Sequence, residues 1–280
     1  MGKYRIVIEP GTENSNYWKD IWNFRGLFYF LAWRDILVRY KQTAIGILWS
    51  LVRPLLTIFV MAFLGWLFNS GIPDGIPRIL LVCAATLPWQ FFASSFTETS
   101  NSLINNSNLL TKVYFPRLIV PASTIIVCLV DFFISLVIMA AIMIWYQYVP
   151  DVRILMLPVF LLLALVTAMG TGLYIAALNV KYRDFRYVIP FIVQFGLYVS
   201  PIAFTSQDIY TSEKIPEMVK VIYSLNPMVG VIDGFRWSIF GDSIFIWWPG
   251  FLISVGISVF FLILGIWYFR KMEKSFADVI

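Results

Sequence analysis

The chain has 280 residues, 60% hydrophobic and 13% charged, with a formal net charge of +5 and a mean hydropathy of +0.79. Soluble domains carry about 25% charged residues, so this composition excludes a protein that hides its apolar surface from water by its own packing. The absence of histidine excludes Ser-His triads, His-based acid–base catalysis and imidazole metal sites.

The first stretch, MGKYRIVIEPGTENSN, is polar and shows no apolar run followed by a small-residue cleavage site, so no cleaved signal peptide is expected. Ile6 stands where myristoylation would need Ser or Thr. The segment 17–42 is too charged to span a membrane and too apolar to dissolve. Leu27, Tyr29, Ala32, Trp33, Ile36, Leu37 and Tyr40 recur at helical spacing, opposed by Arg34, Asp35, Arg39 and Gln42, with Asp35 and Arg39 an expected i,i+4 pair. It is expected to lie in the cytoplasmic interface, aromatics toward the acyl chains and basic groups among the headgroups.

A membrane-spanning helix needs roughly 20 mostly apolar residues. Six stretches qualify, 44–68, 79–96, 118–146, 154–178, 187–204 and 245–269. The expected fold is therefore an all-α integral membrane protein, one domain over 1–280, with six spans between 44 and 269. Prolines 54, 88, 121, 158, 190 and 201 fall in or at the ends of these runs, where neighbouring helices satisfy the freed backbone. Gly170 and Gly172 would allow close helix approach, and Cys83 and Cys128 read as small buried hydrophobes. Most of the lysines and arginines, among them Lys112, Arg117, Lys181, Arg183, Arg270 and Lys271, fall on the side that holds both ends and the loops after spans two and four. That side is cytoplasmic by the positive-inside rule.

Between spans five and six, residues 205–244 are no plain hydrophilic loop. Two short apolar pieces, one around Met218–Ile222 and one around Val229–Trp237, are hinged at Asn226-Pro227. Pieces of about 10–14 residues suit re-entrant helices; a folded outer cap is the alternative. Ionisable residues within spans are costly and point to function. Arg53 lies nine residues after Ala44, about 14 Å along a helix and near the midplane; it either pairs with Asp131 or meets a substrate. Glu98 is expected to snorkel, and Asp233 and Arg236 to pair. Interfacial belts explain tryptophans such as Trp18, Trp22, Trp66 and Trp145. They do not explain Trp49, Trp89, Phe92, Phe191, Phe195 and Tyr198, which either fill space between helices or serve a function of their own.

Two cytoplasmic interruptions, NLLTKVYFPR at 108–117 and NVKYRDFR at 179–186, stand out. Together with LAWRDILVRYKQTAIGILWSLVRPLL (31–56), LPWQFFASS (87–95), LYVSPIAF (197–204), SLNPM (224–228) and SFADVI (275–280), they make the chain resemble the permease subunits of bacterial ABC exporters for O-antigen, capsule and teichoic acid. The resemblance implies a half-transporter in the cytoplasmic membrane that pairs with a second copy, works with a separate ATPase, and moves a lipid-linked glycan polymer. No nucleic acid and no cofactor is implied for this chain; ATP and Mg would bind to the partner. In keeping with this, the sequence contains no GxxxxGK[ST] phosphate loop.

The resemblance also gives the two interruptions a role as docking handles for the ATPase. Lys112, Tyr114, Phe115 and Arg117 in the first, with Tyr182, Arg183, Asp184 and Phe185 in the second, supply aromatic anchors and orienting charges. Pro116 redirects the chain into span three. The alternative is that they are topology signals only. A lipid diphosphate headgroup would first meet Arg34, Arg39 and Lys41 and then Arg53, while Trp49, Trp89, Phe92, Phe191, Phe195 and Tyr198 would line the path. Rival readings are an ABC permease for drugs or lipids, or an integral-membrane enzyme acting on lipid-linked sugars. The second would need paired carboxylates or histidines in its loops.

Overall fold

The computed structural model describes residues 17–41, 47–67, 73, 75–182, 184–273 and 276, with residues 47–50 described by backbone alone. Among the described residues every regular element is helical. In chain order these are α1 (Tyr17–Asn23), α2 (Arg25–Lys41), α3 (Ile47–Leu67), α4 (Arg78–Asn105), α5 (Ser107–Lys112), α6 (Ile119–Trp145), α7 (Leu157–Lys181), α8 (Phe185–Val199), α9 (Gln207–Tyr210), α10 (Glu217–Ser224), α11 (Pro227–Phe240) and α12 (Trp248–Glu273), with short 3-10 turns at Val152–Met156 and Gly241–Ser243.

Among the described residues, four helices are long and apolar enough to cross a bilayer: α4, α6, α7 with its preceding turn, and α12. Of the other two expected spans, Phe185–Val199 is a shorter apolar helix, and α3 runs 21 residues from Ile47 to Leu67, of which Leu51–Leu67 are described with their side chains. At 1.5 Å per residue, α8 is about 22 Å long, less than the roughly 30 Å of hydrocarbon. The chain leaves helical geometry at Ser200, ahead of Pro201, whose ring disfavours a helical residue before it. Among the described residues the six expected stretches thus meet four long apolar helices, the 21-residue α3 and the shorter α8.

Helix α4 is the central post, packed by α3, α6, α7, α8 and α11. Close contact between α7 and α12 depends on glycine. A Cβ on Gly170 would fall on the Leu262 backbone, and one on Gly265 would fall on the Gly170 carbonyl. A Cβ on Gly172 would stand 2.8 Å from the Thr99 side chain of α4. Where the backbones meet, Thr167 donates to Ser258 at 2.8 Å, so the small polar groups in this contact are paired.

The expected hinge at Asn226-Pro227 lies between α10 and α11. Asn226 accepts from the Met228 amide at 3.0 Å, capping α11, and its amide donates to Ser200 Oγ at 3.0 Å. Helix α11 is buried on all sides, as its Val229, Val231, Ile232, Phe235 and Ile239 require. Asp233 and Arg236 do not bond to each other. Arg236, 1% exposed, donates to the carbonyls of Leu81 (3.2 Å), Ile202 (3.0 Å) and Phe204 (2.9 Å), while Asp233 accepts from Ser206 at 2.7 Å. The irregular SPIAF segment turns backbone oxygens toward a guanidinium, whose several donors can serve all of them at once. That geometry outcompetes the i,i+3 pairing expected from spacing.

A second apolar cluster closes the other end of the bundle. Tyr17, Leu31, Leu103, Leu110, Phe115, Leu118, Val180, Phe269 and Phe276 pack there, joining α1, α2, α5 and the ends of α4, α7 and α12.

Candidate functional site

Helix α2 buries Leu31 and Ala32 and leaves Tyr29, Phe30 and Trp33 exposed, as α1 leaves Trp22. Arg34, Asp35 and Arg39 are half-buried. Arg34 pairs with Asp35 at 2.7 Å and donates to Asn106 Oδ1 at 2.8 Å. Arg39 pairs with Asp131 of α6 at 2.6 Å and approaches Glu98 of α4 at 3.6 Å. Tyr40 donates to the same Asp131 at 2.5 Å. Asp35 therefore takes Arg34 and not Arg39, and Glu98 meets a cation where it was expected to snorkel. Asp131, within a span, exerts the stronger demand because an unpaired carboxylate at that depth is costly. Lys41 is exposed at the end of α2. The outcome is a mixed-charge junction of α2, α4 and α6, where the sequence suggested a free basic face.

Asp131 is thus bound to Arg39, and Arg53 is exposed on α3 with no ion pair among the described residues. The Trp49 side chain lies outside the described residues.

The first interruption divides in two. Lys112 and Tyr114 are exposed, whereas Phe115 is 4% exposed and belongs to the apolar cluster with Leu110, Phe269 and Phe276. Arg117 is half-buried and bonded to the end of α12. Phe115 and Arg117 therefore hold the loop in place, and Lys112 and Tyr114 present it. In the second interruption, Tyr182 and Asp184 are exposed and Phe185 is half-buried, its ring 6.5 Å from that of Tyr182. Arg183 lies outside the described residues.

The aromatic residues separate the same way. Trp89 and Phe92 are buried, their rings 5.4 Å apart, with Phe92 stacked on Phe96 at 5.8 Å. Phe191, Phe195 and Tyr198 are exposed on α8, and Phe191 and Phe195 stack at 5.8 Å and 8°. The buried and exposed sets are related through Gly196. A Cβ there would stand 2.6 Å from the Trp89 ring, so α8 seats its glycine on that indole and turns the opposite, aromatic face outward. Tyr187, Phe191, Phe195 and Tyr198, spaced by four, four and three residues, form this stripe.

The structure adds a feature that the sequence reading passed over. From Ser94 onward, α4 continues through SSFTETSNS (94–102) to Asn105. Gln90, Ser94, Thr97, Glu98 and Asn101 share one half-exposed face. Ser94 donates to Gln90 O (2.8 Å), Thr97 to Ala93 O (2.7 Å) and Asn101 to Thr97 O (2.9 Å), so the helix satisfies its own donors. Oxygen lone pairs remain along the face to receive hydroxyl donors. A polar run inside an apolar helix was the legible signal. Among the described residues no group of three or more His, Cys, Asp or Glu could hold a metal ion.

Residues 26–240 match the ABC-2 type transporter family. The chain is 27% identical over 250 residues to an O-antigen export system permease protein RfbA of Klebsiella pneumoniae, covering 88% of this chain and 92% of that protein. A protein of the same name from Myxococcus xanthus is 26% identical over 219 residues, covering 78% and 82%. The capsule polysaccharide export inner-membrane protein CtrC of Neisseria meningitidis serogroup A is 26% identical over 225 residues, covering 76% and 79%.

Proposed function

The chain belongs to the ABC-2 type transporter family, and from that premise we propose that it is the membrane subunit of an ATP-driven exporter of a lipid-linked polysaccharide. It works in the bacterial cytoplasmic membrane as one of two copies, with both termini on the cytoplasmic side. The observation that carries this reading is the similarity to O-antigen and capsule export permeases over most of the chain, coupled with an exposed polar and aromatic surface suited to sugars. Hydroxyl-bearing polymers need hydrogen-bond partners at modest spacing and apolar faces for stacking; the α4 face supplies the first and the α8 stripe the second. Phe191, Phe195 and Tyr198 are the stacking residues. Trp89 and Phe92 act behind them as the packing that fixes the stripe.

A separate ATPase binds the cytoplasmic surface through Lys112, Tyr114, Tyr182 and Asp184, with Arg183 beside them in sequence. A lipid diphosphate meets Lys41 and Arg53 first, because these are not tied to carboxylates among the described residues. Arg34 and Arg39 hold the junction at which α2 meets the spans. The segment from α10 through α11 forms the outer end of the path as a re-entrant pair.

Purifying the chain with and without its ATPase tests the proposal. ATP hydrolysis is expected only in the complex. Lys112→Glu with Tyr114→Ala should lower ATPase copurification about tenfold, as loss of an interface anchor does, while membrane levels hold. Hydrolysis by the isolated chain, or unchanged copurification, contradicts it.

A further inference from the structure

The first cytoplasmic interruption is fastened to a helix far away in sequence. Arg117 donates its main-chain amide to Glu273 Oε1 at 2.8 Å, and its guanidinium Nη1 donates to the Glu273 carbonyl at 2.5 Å. The main-chain amide of Arg117, two residues ahead of α6, thus bonds the Glu273 carboxylate, and the Glu273 main-chain carbonyl bonds the Arg117 guanidinium, so each residue gives one main-chain and one side-chain group to the contact.

Aromatic packing surrounds this exchange. The Arg117 guanidinium lies 5.7 Å from the Phe276 ring centroid, and Phe276, 1% exposed, meets Phe269 edge-on at 5.3 Å. Arg270, one turn back on α12, lies over the ring of buried Tyr17 at 4.7 Å. The end of α12 is thereby held to the docking loop on one side and to α1 on the other.

We propose that Glu273 is a positioning residue for transport. It fastens the docking loop to α12, so that a push on α5 moves α12 as one body with the start of α6. The proposal rests on the reading of the loop as the ATPase handle. In that reading the stroke enters α4 and α6 through the chain and reaches α12 through apolar packing of Phe115 against Phe269 and Phe276. Glu273 adds directional bonds to that packing, so that α12 follows the loop without slipping, and α7 is held to α12 across the Gly170–Gly265 contact.

The test is a distance followed during turnover. Labels are placed at Thr111→Cys and Lys271→Cys, both exposed positions, in the complex of permease and ATPase in lipid vesicles; native Cys83 and Cys128 are buried. With Glu273 intact, the label separation is expected to stay constant through ATP hydrolysis. In Glu273→Ala it should vary with the cycle, and ATP consumed per polymer exported should rise roughly tenfold or more, the scale of loss that follows slight misplacement of a positioned group. Glu273→Gln should fall between them, because its amide oxygen still accepts from the Arg117 amide. Equal distance behaviour in both backgrounds, or an unchanged ATP-to-polymer ratio, overturns the proposal. Should Glu273→Ala fail to accumulate, Phe276→Ala, which loosens the same clamp, carries the test with the same two outcomes. Absence of export from the unsubstituted complex would instead remove the functional reading on which the clamp depends.

Discussion

Arg39 and Asp131 form a 2.6 Å ion pair that ties α2 to the long apolar helix α6. Tyr40 and Glu98 complete the junction. The pair is partly exposed, with side-chain accessibilities of 33% and 17%, so its worth lies between that of a surface pair and a buried one. Asp131→Ala is expected to cost about 1–3 kcal/mol of stability. The double change Arg39→Ala with Asp131→Ala should cost clearly less than the sum of the singles. Thermal melting of the purified protein gives the cycle, and strict additivity would show that the contact contributes nothing.

Arg236 fixes α11 to α4 and to the segment after α8 through three carbonyls. Arg236→Leu leaves the carbonyls of Ile202 and Phe204 without that donor and should destabilise by about 2–5 kcal/mol, since each stranded buried acceptor costs roughly 1–3 kcal/mol. Arg236→Lys keeps the charge but loses the planar fork and should lie between. The same melting measurement reads both, and a Leu variant as stable as the parent would contradict the assigned role.

The α7–α12 contact predicts a sharp contrast between glycines. Gly170→Ala or Gly265→Ala places a methyl into opposing backbone and should cost about 1–3 kcal/mol, the usual range for overpacking. At Gly256 nothing stands within 4 Å of a Cβ, and Gly256→Ala should be neutral or slightly stabilising through helix propensity. Comparable losses at all three positions would argue against close contact at Gly170.

The two 3-10 turns, Val152–Met156 and Gly241–Ser243, are joined by a pH-sensitive clamp. Arg153 binds Asp242 through both guanidinium nitrogens, at 2.6 and 2.9 Å, stands 3.7 Å from Asp151, and lies over Trp237. Hydrogen bonding from Arg153 holds the Asp242 carboxyl below the usual carboxylate range. A depressed native pKa stabilises above the unfolded value, and that contribution is lost as pH falls through the native one. Hydrogen exchange around residues 148–156 and 240–245 should therefore be flat near neutrality and rise only below the ordinary carboxylate range. Asp242→Asn should show the faster exchange at neutral pH already; a rise centred near pH 7 in the parent would contradict the clamp.

The sequence made the large features legible because they depend on local chemistry. Composition showed lipid as solvent, Gly170 and Gly172 marked close helix contact, and Asn226-Pro227 marked a break that the structure places between α10 and α11. Partner choice was less legible, since it depends on residues distant in sequence. Spacing favoured Asp35 for Arg39, but the structure gives Asp131, 92 positions away, because a carboxylate within a span outbids a solvated neighbour. Phe115 sits in a run of charged and aromatic residues that looked uniformly exposed, yet the turn at Pro116 directs it into the cluster with Phe269 and Phe276. The polar face of α4 was visible as SSFTETSNS but fell outside a window defined by apolar content. Residues 187–204 read as one span because Ser200-Pro201 is apolar on both sides; hydropathy does not register that the helix ends there.

The central claim is that this chain moves a lipid-linked polysaccharide when driven by a separate ATPase. The direct measurement is ATP-dependent transfer of radiolabelled lipid-linked polymer into inverted vesicles containing the chain, with its ATPase added or withheld. Transfer is expected only when chain, ATPase and ATP are all present. It should fall about tenfold or more when the stacking face is removed by Phe191→Ala with Phe195→Ala, as each aromatic contact contributes on the order of 1 kcal/mol. Transfer without the ATPase, or ATP hydrolysis in the complete complex with no polymer movement, would contradict the account.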